Sequence, residues 1–265
     1  MISCIFQQSL NAQNTEIEKA KELFKERGSK DKLQENVKLM IEMVGRDTIQ
    51  AVVNIISHTY YLLAEYETDK TKKLEIYENG LKYGEIALNK IPAFVLAKKE
   101  GKIENEALAL ITKDDMEALY WTAANLAKFA KYSAFTKKVS MKSRIRSMWD
   151  KIYTLDPNYY YAGGYRFFGG YYALVPAITG DQDPIKAKEM FDKCLEISPE
   201  YLETKVLFAE AYCTHAKIKD RELFKKLLHE VMNAELELYP DIIPENTIAQ
   251  EKAKRLLDQE NELFE

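Results

Sequence analysis

Apolar residues recur at three- and four-residue intervals along almost the whole chain, with charged residues between them. This is the spacing of amphipathic helices, and strand-like alternation is not evident. The clearest run is the last one, where Ala249, Ala253, Leu256, Leu257 and Phe264 share one helical face. Helix starts are marked by side chains that accept hydrogen bonds from free backbone N–H groups. Asp31 with Gln34, and Asp47 with Gln50, read as capping boxes, and Ser140 reads as the cap of another helix. Asp183 precedes Pro184, an N-cap followed by proline at the first helical position. The stretch from Ala93 to Lys113, rich in charge and small residues, reads as a connection with room for a short helix. The pattern predicts an all-α protein of about twelve helices.

A repeat underlies the helices. Ala187, Phe191, Cys194 and Pro199 stand at offsets 0, +4, +7 and +12. These are the offsets of the small, aromatic, small and proline positions in the second half of a tetratricopeptide (TPR) repeat. Small residues let two helices approach, the aromatic fills the gap, and proline stops the helix. Phe208, Ala209 and Tyr212 continue the register into the next helix. The frame recurs, degraded, at Ile145, Trp149, Ile152 and Pro157, and again at Gly80, Gly84, Ala87 and Pro92, with glycine where the aromatic belongs. The predicted architecture is a TPR-like helical-repeat solenoid, an α–α superhelix. The step from Pro157 to Pro199 exceeds the ~34-residue period by about eight residues, which places an insertion between Tyr159 and Gly180.

Composition agrees and narrows the choice. The chain has 265 residues, 46% hydrophobic and 30% charged, so it is neither disordered nor short of core. Ten glycines and seven prolines are too few for an all-β protein of this length. A net charge of -4 argues against wholesale nucleic-acid binding. Seventeen tyrosines against two tryptophans suit half-wet cavities and interfaces. No apolar stretch reaches the length of a membrane span. Met1 to Gln13 reads either as the remnant of a signal peptide or as a native N-terminus. In the first case Cys4 is the candidate for lipid attachment, and a membrane anchor is expected only through that lipid. Three cysteines make no disulfide framework.

The C-terminal half resembles a known family. The matching features are Asp156-Pro157, Gly164, Pro176, Gly180-Asp181, Lys186-Ala187, Phe191 and the helix from Ala209 to Tyr212. Leu227-Leu228, Val231, Asn246, Ala249-Gln250, Ala253, Leu256-Leu257 and Leu263-Phe264 extend the match. These residues resemble TatT, the TPR-type partner of tripartite ATP-independent periplasmic (TRAP) transporters, with weaker similarity back to about residue 70. The resemblance implies one helical-repeat domain over residues 14–265. It would comprise N-terminal helices (14–92), a connection (93–113) and C-terminal TPR-like helices (114–265), with 1–13 as the signal remnant. It implies a periplasmic protein, often a lipoprotein, that associates with the transporter's solute-binding protein and encloses a central cavity. It allows a homo-oligomer and implies no cofactor. A cytoplasmic TPR adaptor that binds a protein or peptide is the alternative.

The candidate site residues fall into three groups. Tyr161, Tyr165, Phe168, Tyr172 and Val175 are placed on one face of a Tyr159–Tyr172 helix, and Ala162, Gly169 and Ala173 on another. Arg166 lies among the small residues, where it could clamp a carboxylate of a small organic ligand, cap a helix, or pair with a core acid. Trp121 and Asn125, four residues apart and beside Tyr120, share a second helix face, where Asn125 is either a ligand contact or a packing partner. From Lys128 to Ser147 there are seven basic residues and no acidic one. Lys137, Lys138, Lys142, Arg144 and Arg146 are the docking candidates within that run. A solvated face, an acidic protein partner and a membrane headgroup contact are its three readings. No catalytic set is legible: His58, His215 and His229 are scattered, and no HExxH, phosphate loop or Ser-His-Asp order is present. Neither a catalytic residue nor a metal site is expected. Cys194 and Cys213 are expected as free thiols.

Overall fold

The computed structural model describes residues 2–44 and 49–265, with side chains from residue 13 onward. Asp47 and the side chain of Cys4 therefore lie outside the described residues. Within them every regular element is helical and no strand is present. Fourteen α-helices appear where about twelve are expected from periodicity alone. The surplus has local causes. Residues 93–113 contain two helices, α5 (Pro92–Lys99) and α6 (Glu104–Ala109), and the terminal helix is broken at Gln259. The chain forms two compact units, Met1–Leu155 and Asp156–Glu265.

The first unit carries α1 (Ile2–Lys25), α2 (Lys30–Val44), α3 (Gln50–Tyr66), α4 (Lys70–Leu88), α5, α6, α7 (Met116–Tyr132) and α8 (Phe135–Leu155). Helix α3 packs on α1, α2, α4 and α7, and α4 lies against both α3 and α7. The sequence of α3, QAVVNIISHTYYLLAEY, is apolar on nearly every side, as a helix enclosed by neighbours must be. Glycine decides how α4 meets α7. A Cβ on Gly80 would lie 2.2 Å from Asn125 Oδ1, and one on Gly84 would lie 2.6 Å from Thr122 Oγ1 and 2.9 Å from Thr122 Cα. Glycine therefore stands in the aromatic slot of this degraded repeat because the partner helix already occupies the space.

Two predicted caps move. Ser29 Oγ accepts from the Lys32 N–H at 3.3 Å and opens α2, so Asp31 sits inside the first turn and does not cap it. Ser140 lies within α8, and its hydroxyl donates back to the Lys137 carbonyl, because α8 already begins at Phe135. The caps at Asp69, Asp183 and Asp220 are direct: each carboxylate accepts a backbone N–H of its helix's first turn.

The second unit carries α9 (Tyr159–Leu174), α10 (Pro184–Ile197), α11 (Glu203–Phe208), α12 (Arg221–Met232), α13 (Ile243–Asp258) and α14 (Glu260–Phe264). Helix α11 runs into a π-turn over Ala209–Cys213, where the plain helical register of Phe208, Ala209 and Tyr212 widens by one residue. Phe191 stacks on Phe208 at 4.7 Å, and Phe224 meets Phe264 edge-on at 5.2 Å. Ala187, Phe191 and Cys194 are fully buried. So are Ile152 and Ala87 from the two weaker copies of the frame, with Trp149 nearly so. The repeat offsets mark core positions in both units.

Candidate functional site

The first turn of α9 has no counterpart in ordinary helix geometry. Tyr160, Tyr161 and Ala162 all have positive φ, at 48, 56 and 55°. Each residue in that left-handed region costs about 1–2 kcal/mol, because Cβ crowds the following carbonyl. Such a turn persists only where its surroundings hold it. Arg166 supplies much of the hold: Nη1 donates to the Tyr161 carbonyl at 2.8 Å and Nη2 to the Tyr160 carbonyl at 3.2 Å. Its guanidinium carbon also lies 4.3 Å from the centre of the Tyr201 ring, which stacks on Tyr161 at 5.0 Å. Cys194 Sγ lies 3.4 Å from the Ala162 carbonyl and 3.4 Å from Thr204 Oγ1. The Tyr160 hydroxyl reaches the buried Glu245 at 3.4 Å.

This turn corrects the expected helix face. Tyr161 precedes the right-handed part of α9, so it does not continue the row of Tyr165, Phe168 and Tyr172. Phe168 is buried, its ring 5.9 Å from that of Tyr172, and Tyr172 packs on the core of the second unit. Tyr165 is half-buried. The small-residue face meets a neighbouring helix: a Cβ on Gly169 would lie 2.8 Å from the Phe191 ring. The nearly buried Arg166 clamps a turn through backbone carbonyls, a role close to the helix-cap reading. Cys194 and Cys213 are both buried free thiols, and burial pushes the Cys213 thiol up to about 12.

Trp121 and Asn125 belong to the first unit, on α7. Trp121 is 2% exposed and stacks on His58 at 3.4 Å, with Tyr61 and Tyr120 around it. Burial, and then the charge of Arg27, hold the His58 pKa well below 6.5, so this imidazole is neutral at pH 7. Asn125 is fully buried and donates to the Ser57 carbonyl, the Ser57 hydroxyl and the Trp121 carbonyl at 2.9–3.2 Å. Its Oδ1 faces Gly80 and accepts no hydrogen bond from the described residues. It packs in the geometry of a helix-crossing residue.

The basic run divides sharply. Arg144 bridges Glu85 and Glu104 at 2.6 and 2.7 Å, and Arg146 pairs with Asp150 at 2.8 Å. Lys128 reaches the buried Glu65 at 2.7 Å, and Lys137 sits 4.2 Å over the Phe129 ring. Sequence reading takes Lys128 as one charge among seven. It misses that Glu65, also bonded by the Tyr77 hydroxyl, is 4% exposed and requires that lysine. A glutamate set within the apolar run of α3 is the signal that points to a buried partner.

Among the described residues no group of His, Cys, Asp and Glu is placed to hold a metal ion, and no helix is long and apolar enough to cross a membrane. The buried polar groups mostly serve each other and the backbone. The described residues thus define an all-helical protein. The chain is a member of the TAtT family, the TRAP transporter T-components, whose family model matches residues 53–264 and so runs through both compact units. That family is an accessory component of TRAP transport rather than a known enzyme family. No curated protein matches the chain.

Proposed function

We propose that the chain is a periplasmic, TPR-like accessory protein of a TRAP-type transporter, one that docks the transporter's solute-binding protein and holds a small organic ligand. The observation that carries the reading is the family match over residues 53–264. On this reading residues 14–265 act as one helical-repeat domain, and a lipid on Cys4 is the anchor. Ligand contact is assigned to the half-buried rings Tyr161, Tyr165 and Tyr172, which combine an apolar face with a polar tip. Trp121, Asn125, Arg166 and Phe168 are engaged within the fold and are assigned supporting roles. Arg144 and Arg146 are already ion-paired within the chain, Arg146 in an exposed pair with Asp150, so docking is not placed on them.

The test is direct. Purified chain is mixed with a TRAP solute-binding protein and passed over a sizing column, and the chain alone is examined by native mass spectrometry. Co-elution is expected, together with a bound small molecule whose occupancy falls in Tyr165→Ala. Absence of both sinks the reading.

A further inference from the structure

The start of α8 carries an apolar pair that the fold does not use. Phe135 is 61% exposed and Val139 is 42% exposed, one turn apart on the same side of the helix. Lys138 lies on that side too, Lys137 is next to it, and Lys142 follows at the next turn. No acidic residue occurs between Lys128 and Ser147. The neighbouring arginines are each ion-paired: Arg144 with Glu85 and Glu104, and the half-exposed Arg146 with Asp150 one turn on. The stripe therefore presents an aromatic ring and a branched aliphatic side chain among Lys137, Lys138 and Lys142, with Lys137 Nζ resting 4.2 Å from the centre of the Phe129 ring.

We propose that this stripe is a contact for an anionic membrane surface, with Phe135 and Val139 entering the headgroup boundary and the lysines facing lipid phosphates. Two features favour lipid over a folded protein. Protein interfaces favour arginine and disfavour lysine, and they bury on the order of 800 Å² per partner, far more than two helical turns offer. A bilayer surface asks only for a shallow apolar insertion beside diffuse positive charge, and lysine serves it as well as arginine. Charge complementarity to an anionic leaflet rests on Lys137, Lys138 and Lys142 at the start of α8, within a run that has no acidic residue of its own. The inference does not depend on the transporter reading.

Sedimentation of the full chain with vesicles tests it. Vesicles of phosphatidylcholine alone are compared with vesicles that also contain phosphatidylglycerol, at low and at high salt. Binding is expected only with phosphatidylglycerol, and it weakens with salt. Lys138→Glu lowers the partition coefficient about fivefold or more, and Phe135→Ser lowers it about tenfold. Both side chains are outside the core, so the thermal melts of these variants match the parent. Phe135→Trp adds a direct readout: its fluorescence shifts to the blue on phosphatidylglycerol vesicles, against the buried Trp121 and Trp149. The proposal is overturned if no phosphatidylglycerol vesicles sediment the chain, or if both variants bind like the parent. It is equally overturned if vesicles are ignored while the same variants lose co-elution with the solute-binding protein, since the stripe would then be a protein contact.

Discussion

At the scale of single residues, the left-handed turn of α9 makes the sharpest claim. Ala162 and Ala187 are both fully buried, but Ala162 has φ of 55° and Ala187 lies in right-handed helix. Glycine at 187 loses a buried methyl group and helix propensity, together about 2 kcal/mol. Glycine at 162 loses a methyl as well but regains the ~1–2 kcal/mol that Cβ crowding takes there. Urea denaturation should therefore find Ala162→Gly close to neutral and Ala187→Gly clearly destabilised; equal losses would contradict a left-handed turn. Glu67 makes a second claim. Its carboxylate accepts from Lys30 Nζ at 2.8 Å and from the backbone N–H groups of Asp69 and Thr68, which lowers its pKa from 4.5 to about 2. Because the folded value is the lower one, this stabilisation is full above pH 4.5 and is lost as pH falls toward 2. Melting temperature against pH should fall over that window, and Glu67→Gln should flatten the fall. The unusual character of Arg166 is legible in the sequence, but its partners are not. Three left-handed residues without glycine leave no signature in composition or spacing.

At the scale of elements, periodicity finds nearly all the long helices, because each has an apolar face to bury. The connection read with room for one short helix holds two, α5 and α6, each too brief to show a full repeat of the pattern, and the break at Gln259 follows no proline or glycine. The glycines of α4 are visible in the sequence as a departure from the repeat frame, but the reason lies on α7. Gly84→Ala sets a Cβ against the Thr122 backbone, which cannot rotate away. Overpacking of roughly 1–3 kcal/mol should outweigh the gain of about 1 kcal/mol in helix propensity. The melting temperature should drop. Gly28→Ala, with nothing within 4 Å of the new methyl, should leave it unchanged or raise it.

At the scale of the molecule, the two compact units each have their own core. The second is built around Phe191, Phe208, Phe224, Leu228, Ala249 and Ala253. A chain of residues 156–265 should therefore fold by itself, with a helical circular dichroism spectrum and a cooperative melt; a featureless, non-cooperative spectrum would show that the unit needs the rest. The family was legible from the sequence chiefly through these same C-terminal positions, whose spacing is fixed by helix crossing. The N-terminal unit was harder to read, since its tightest crossing is made by glycines and a buried asparagine in place of the aromatic slot that identifies the repeat.

That crossing also constrains inheritance. Gly80 and Asn125 occupy one space between them, so neither position is free to drift alone. A relative that restores a larger residue at position 80 must shrink the residue at 125 in the same lineage, and would give up the bonds to Ser57 and Trp121 in doing so. Paired change at these two sites, with few single-exchange intermediates, is the trace such a contact should leave in the descent of the family.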